Sequence, residues 1–314
     1  MSRSPSVAPG LGLALTSAAT FSTSGTFASS LLDAGWSPTA AVSARIGVAA
    51  AVLTPPALAG LRGRWHLLRA SAGVLAVYGL LAVVAGQLFY FQAVERIGVG
   101  VSLMLEYLGS VLVVAWMWLR HAQRPGSRTL AGAGIALTGL ALVLGVTGPV
   151  RLDPAGVLWG LGAAVGGAAY FVLSARTDGL PPLVTAWAGL VVGAAVLGVA
   201  AAVGAAPLRA TRADVVLAGH RTGWPVPVLG LALVAAVVPY VTGIRASRVL
   251  GPRLASFVGM SEVVFAVLVA WVVLGQLPAP GQLAGGVVIL TGVALVRAAE
   301  GPVAVPEERP VPVG

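Results

Sequence analysis

No cysteine, lysine or asparagine occurs among the 314 residues. The lack of cysteine excludes disulfides and thiolate chemistry. Charge is nearly as scarce: charged residues make up 9% of the chain, whereas a soluble domain carries roughly 25%. Water is therefore not the main solvent of this protein. The three histidines, His66, His121 and His220, fall between apolar stretches. There is no H-E-x-x-H helix and no Asp-rich loop, so no metal or cofactor site is expected. Ser261 precedes Glu262 but has no histidine within the apolar stretches to activate it, which argues against a hydrolase and against an enzyme in general. A P-loop is missing too, so ATP-driven work would need a separate subunit.

What is present is apolar length. Hydrophobic residues reach 58% and mean hydropathy is +0.94. Stretches of about 20 apolar residues, enough to cross a hydrocarbon core of about 30 Å, recur along nearly the whole chain. They are continuous and do not alternate with polar residues, which favours helices over a barrel. Ten spans are expected, near 11–32, 38–60, 71–94, 99–119, 129–147, 155–174, 182–204, 226–245, 254–274 and 281–297. The fold class read here is an all-α membrane protein whose partner is the lipid bilayer.

The net charge of +9 comes entirely from arginine. Most arginines stand in short loops, without basic runs or interleaved aromatics, so they sort the loops across a membrane and do not mark a nucleic-acid surface. With the N-terminus inside, thirteen arginines fall on the cytoplasmic side and five outside, Arg45 remaining within a span. This places both termini, tails 1–10 and 298–314, in the cytoplasm, and the protein in the cell (inner) membrane. The first span follows a tail without a small-residue cleavage signal and is expected to be retained.

The chain is written twice. Leu130–Val143 (LAGAGIALTGLALV) returns as Leu283–Val296 (LAGGVVILTGVALV), 153 positions on (283 − 130). Gly10–Phe21 matches Gly160–Phe171 at an offset of 150 (160 − 10), and Ala93 and Gly98 match Ala246 and Gly251 at 153 again. The repeats are 11–147 and 155–297, five spans each. Because five is odd, the second copy must run the opposite way through the bilayer, giving two inverted five-helix repeats, an arrangement transporters use with a site between the halves. Glycines at spacing four, such as Gly156, Gly160, Gly281 and Gly285, suit close helix packing more than ligand contact.

In this arrangement the residues resemble the drug/metabolite transporter superfamily in its EamA-type ten-helix form. The resemblance rests on the two repeats, each ending in a Gly-rich helix (Gly132–Leu142, Gly285–Leu295). Leu105–Ser110 (LEYLGS), Pro239–Tyr240 and Met260–Ser261–Glu262 are similar to stretches of the threonine/homoserine exporter group, with Ser110 in place of a usual proline and Gln276 in place of a usual glutamate. The resemblance implies export of small metabolites, with neutral amino acids such as threonine or homoserine as the solute, and a pathway lined by Gln87, Tyr90 and Tyr240.

The intramembrane charges are few. Glu106 and Glu262 are the two acids well inside spans, in the fourth and ninth, which correspond between repeats. Eight residues separate Gly98 from Glu106 and eleven separate Gly251 from Glu262, so at about 3.6 residues per turn their directions differ by only about 60°. Both can face one cavity. Ionisable residues at such depth are by default functional, and either could bind a solute amine or carry a proton; the alternative is a neutral carboxyl bonded to a neighbouring helix. Arg45, at a depth similar to Glu106, could pair with it, hold a solute carboxylate or snorkel toward Asp33. The function expected is secondary-active transport by alternating access, with protons as a possible second partner. Uptake or facilitated passage of another solute or drug, a channel, or a sensor without flux remain open alternatives. The sequence does not fix the oligomeric state.

Overall fold

The computed structural model describes residues 7–144, 153–176, 179–204, 208–274 and 277–299. Most of the two predicted tails lies outside these ranges, as does Gln276. The chain opens with α1 (Val7–Phe21), α2 (Ser24–Asp33) and α3 (Pro38–Gly60), then the short α4 (Trp65–Ala70) and α5 (Ala72–Tyr78). A π-helical stretch, Gly79–Ala85, leads into α6 (Gly86–Tyr107), and α7 (Gly109–His121) and α8 (Ser127–Leu144) complete the first half. The second half begins with α9 (Pro154–Ser174) and α10 (Pro182–Ala202). After the short strands β1 (Val215–Leu217) and β2 (His220–Thr222) come α11 (Pro225–Leu229) and a second π-helical stretch, Gly230–Val237. The chain then forms α12 (Val238–Leu250), α13 (Pro252–Gly259), α14 (Ser261–Leu274) and α15 (Pro280–Ala299).

Local chemistry sets the helix starts. Before α3, Ser37 Oγ accepts from Ala40 N at 3.2 Å, and before α9 the Asp153 carboxylate accepts from Ala155 N and Gly156 N. In both cases proline follows the capping residue and pre-sets φ for the first turn. Nine helical stretches among the described residues are long and apolar enough to cross a membrane. The first predicted span is instead divided into α1 and α2. Serines and threonines crowd this region, and Thr20, Ser22 and Thr23 each bond back to a carbonyl three or four residues earlier, a competition with the helix ladder that bends or ends helices. Large apolar side chains face outward, Leu119 at 80% and Val272 at 81% exposure, as lipid-facing surfaces require. This is an all-α, multi-pass membrane protein in its main body.

Two stretches are joined in α6. Contacts along α9 reveal the turn: Ile97 lies on Gly156, Leu105 on Gly160 and the start of α7 on Ala164, whereas Gly86 lies on Gly166. The backbone therefore runs down α9 from Gly86 to Ile97 and back up it from Leu105, and Gln87 and Glu106 come level with each other.

The repeated motif becomes a helix pair. α8 packs on α15 at backbone contact, and adding 153 exchanges the contacts: Gly132 meets Gly292 O and Val296 N, while Gly285 meets Gly139 O and Val143 N. Residue numbers rise along one helix as they fall along the other, so the pair is antiparallel. Exchange between the halves continues elsewhere, for α1 packs on α12 and α6 on α9, with α3 on α10.

One predicted loop holds more structure than expected. Residues 215–222 form an antiparallel hairpin in which Val215 pairs with Thr222. Ala218 and Gly219, at φ of 51° and 78°, supply the two left-handed residues that a tight turn between twisted strands needs. The segment leading into it docks on the turn between α2 and α3. Ser37 N donates to Arg209 O at 2.8 Å, Trp36 Nε1 donates to Thr211 O at 3.1 Å, and Thr211 Oγ1 donates to Ala34 O at 2.9 Å. At the opposite end Arg176 meets His121 at 3.1 Å and Arg253 donates to Gln123 O. Arg248 there donates to Ser174 O, the last carbonyl of α9, and to Leu180 O and Thr185 Oγ1.

Candidate functional site

The fourth and ninth spans are both broken, at corresponding places. Between α6 and α7, Leu108 adopts φ −59° and ψ −17°; between α13 and α14, Met260 adopts φ −59° and ψ −18°. Leu108 N donates to Leu105 O and Met260 N to Phe257 O, each at 3.1 Å, and Val111 and Val263 repeat the same three-residue pattern one step later. The register of the breaks is 152 (260 − 108), one less than the 153 (251 − 98) between Gly98 and Gly251. Glu106 thus stands two residues before its break and Glu262 two residues after its own. The repeat partner of Glu262 is Ser110, and that of Glu106 is Val258.

Both glutamates line one cavity of about 160 Å³, together with Gln87, Tyr90 and Tyr240. Side chains from both halves contribute to it. The repeat pair Phe21 and Phe171 is present, and so are Ser17 and its partner Gly167. A hydrogen bond crosses between halves at the acids: Tyr107 Oη donates to Glu262 Oε2 at 2.9 Å and lies 3.3 Å from Gly259 O. Five of the six residues proposed from sequence are therefore brought together.

Arg45 is placed otherwise. It is 1% exposed and neither snorkels toward Asp33 nor forms a salt bridge with Glu106 or Glu262. The two salt bridges formed among the described residues join Arg96 to Glu95 and to Asp153. Its hydrogen-bond partners are uncharged. Nη1 donates to Ser24 Oγ at 3.0 Å and to Gln87 Oε1 at 2.5 Å, and Nη2 donates to Ala235 O. The last contact has a cause in the sequence. Pro239 has no N–H for the carbonyl four residues before it, which is Ala235, and the guanidinium takes that place at the edge of the π-helical stretch. Arg45 also lies over the Phe21 ring, 5.6 Å from its centroid, within cation–π range.

The π-helical stretches mark the same point in the other pair of corresponding spans. Residues 79–85 of the third span align, at an offset of 153, with 232–238 of the eighth, where 230–237 are π-helical. Such insertions re-aim side chains and concentrate at functional sites. Here they precede Gly86–Gln87 in one repeat and Pro239–Tyr240 in the other, of which Gly86, Gln87 and Tyr240 line the cavity.

Sequence reasoning missed several lining groups. Tyr107 adjoins Glu106 in LEYLGS and could have been found from that motif. Tyr170 adjoins Phe171, the match to Phe21, and its ring packs edge-on against Tyr240 with centroids 5.7 Å apart. Tyr170 Oη and Ser17 Oγ both reach Pro239 O, at 3.3 and 3.0 Å. Gln92, five residues on from Gln87, accepts from Arg96 at 2.7 Å and is not part of the lining.

The whole chain can be set against known proteins at this point. The model of the EamA-like transporter family matches it twice, over residues 8–145 and 154–298. An uncharacterised inner membrane transporter of Salmonella typhimurium, YicL, is 26% identical over 110 residues, which cover 34% of this chain and 37% of that protein. A solved crystal structure of a protein at 20% identity superposes with a TM-score of 0.73, covering 94% of this chain and 99% of the other. At that identity the match speaks for the fold alone.

Proposed function

The chain belongs to the EamA-like transporter family, and from that premise we propose that it is a secondary-active exporter of small metabolites. Neutral amino acids such as threonine and homoserine are the solute class, moved by alternating access between two inverted repeats and driven by the proton gradient. The observation that carries the reading is the single cavity built from both halves, with Glu106 from one and Glu262 from the other. At about 160 Å³ it is close to the roughly 150 Å³ of an engineered cavity that holds benzene, and so fits a solute of a handful of heavy atoms.

Alternating access is supported by the backbone. Inverted repeats give two near-equivalent conformations, one open to each side, and the contacts of α8 with α15 exchange as such a pair demands. Proton coupling is supported by the acids, since intramembrane carboxyls in a cavity mark relays and substrate sites. A solute amine that competes with a proton for one of them links the two fluxes. The amino-acid class and the outward direction come from the resemblance of LEYLGS and Met260–Ser261–Glu262 to the exporter group. The cytoplasmic placement of both termini is supported by the arginine bias of the loops, and the inner membrane by the likeness to an inner membrane transporter.

The test is counterflow and pH-jump transport in proteoliposomes with a panel of amino acids and amphiphilic amines. Replacing both acids (Glu106→Gln with Glu262→Gln) is expected to abolish pH-driven flux while the protein still folds in membranes. Undiminished pH-dependent transport by that variant would refute the proton-carrier role.

A further inference from the structure

Arg45 and Gln87 fix the polarity of the cavity. Arginine carries five N–H donors and no acceptor, so the Gln87 atom 2.5 Å from Nη1 is the amide oxygen on chemical grounds. The consequence falls on the other end of the amide. Gln87 lines the cavity, and among the described residues its Nε2 makes no hydrogen bond. That nitrogen is not sealed in the interior either: the buried side-chain atoms without a partner include Arg45 Nε but not the Gln87 amide. With Oε1 held from behind, two N–H donors are left for the cavity.

The charges lie along the same line. Arg45 is buried, and its three hydrogen bonds all go to neutral acceptors, so its positive charge is uncompensated by any ion pair beside Gln87. The acids Glu106 and Glu262 line the same cavity. We infer that Gln87 is the solute-facing donor of this site, positioned by Arg45, and that the site takes a small zwitterion, its ammonium on Glu106 or Glu262 and its carboxylate on the Gln87 amide. This rests on the transport reading only for the assignment of the cavity as the solute site. A solute with an amine alone leaves the amide donors unpaired; one with a carboxylate alone meets the acids without a cation. Arg45 touches no solute and acts through Gln87.

Binding separates this inference from transport. The purified protein is heated with L-threonine or L-alanine, with 1-amino-2-propanol (threonine without its carboxyl group) and with 3-hydroxybutyrate (threonine without its amine). Ligands that bind the folded state raise its apparent stability by RT ln(1 + L/Kd), where L is the free ligand concentration, so at equal concentration the tighter ligand protects more. The amino acids are expected to protect the wild type more than either analogue. Gln87→Leu is expected to weaken L-threonine by roughly ten- to a hundredfold, the size of one hydrogen bond to a charged group, and to leave 1-amino-2-propanol unchanged. In Gln87→Glu the group facing the cavity becomes an acceptor, so the amino acid is lost and the amine is held at least as well. Arg45→Gln is expected to lower amino-acid binding in the wild type but not further in the Gln87→Leu background; should it fail to fold, the two Gln87 variants decide the matter. Equal protection by L-threonine and its amine, a preference that survives Gln87→Leu, or no protection by either amino acid overturns the inference. Binding with the expected preference but without flux overturns the transport reading alone.

Discussion

A methyl group at Gly139 tests whether the duplicated motif is a packing device. A β-carbon there would stand 2.5 Å from Ile289 N and 2.7 Å from Gly285 O. Both are backbone atoms of α15 and cannot swing aside, so Gly139→Ala must push α8 and α15 apart. Overpacking of this kind costs about 1–3 kcal/mol. Alanine also gains up to about 1 kcal/mol in helix propensity, which would blur the result, but α8 carries its own control: a β-carbon at Gly134 would meet nothing within 4 Å. The stability difference between Gly139→Ala and Gly134→Ala isolates the steric cost. Gly292→Ala is expected to cost the same, because its β-carbon would stand 2.5 Å from Ala136 N and 2.6 Å from Gly132 O, the same contacts exchanged between halves. The double variant should cost less than the sum, the helices being already separated. Thermal unfolding of the purified protein, followed by loss of the monodisperse peak, reads these differences; about 1 kcal/mol moves the midpoint by about 2–4 °C in domains of roughly 150–250 residues. If Gly139→Ala and Gly134→Ala melt together, or if only one of the pair Gly139 and Gly292 is sensitive, the argument from exchanged contacts fails.

Other variants probe the site and the topology. Tyr107→Phe removes the donor to Glu262 and should cost about 0.5–1.5 kcal/mol, or about 1.5–3 if the carboxylate is ionised; a cycle with Glu262→Gln that is strictly additive would show the pair to be uncoupled. Gly243→Ala would drive a methyl into Tyr170 Oη and to within 2.7 Å of Ser17 Oγ, so a drop in thermal midpoint with loss of solute protection is expected, and wild-type behaviour of both readouts would refute the packing of α1, α9 and α12 described above. The absence of native cysteine makes labelling direct: cysteines at Gly63 and at Arg221 should react from opposite sides of the membrane, and labelling from one side would end the inverted reading.

The spans were legible because apolar length and flanking arginine report directly on the bilayer, and nine of the ten stretches reappear within a few residues. The first did not, since the Ser/Thr bonds that divide α1 from α2 depend on side-chain rotamers that hydropathy does not see. The cavity lining was legible in its acids and in Tyr90 and Tyr240, which stand out against apolar surroundings. Arg45 was visible but its role was not. Its partners are a serine, an amide oxygen and one backbone carbonyl, and every residue has a carbonyl. The one clue was Pro239, which leaves Ala235 O without its helical donor. The breaks at Leu108 and Met260 were hidden for a related reason: no proline marks them, and only Gly109 and Gly259 stand beside them. Gly109 is needed there, since a β-carbon would lie 2.7 Å from Ala164 O.

In the transport proposed above, those breaks give the position of each acid its use. The two backbones repeat closely, in their π-helical stretches, their break geometry and the contacts of α8 with α15, and a repeated backbone by itself makes inward- and outward-open states nearly equal in free energy. The charged side chains do not repeat. Glu262 corresponds to Ser110 and Glu106 to Val258, while Arg45 corresponds to Gly189, 144 positions on (189 − 45) as Pro182 is from Pro38 (182 − 38), where a β-carbon would strike the Tyr78 ring at 2.5 Å. Had the acids occupied equivalent positions, the cavity would present the same groups to either side. Under the alternating access proposed above, their placement on opposite sides of equivalent breaks makes the two open states chemically different. In the transport proposed above, that difference is what allows a proton or a solute to bias one state over the other, since a ligand shifts such an equilibrium only through unequal affinity for its two ends.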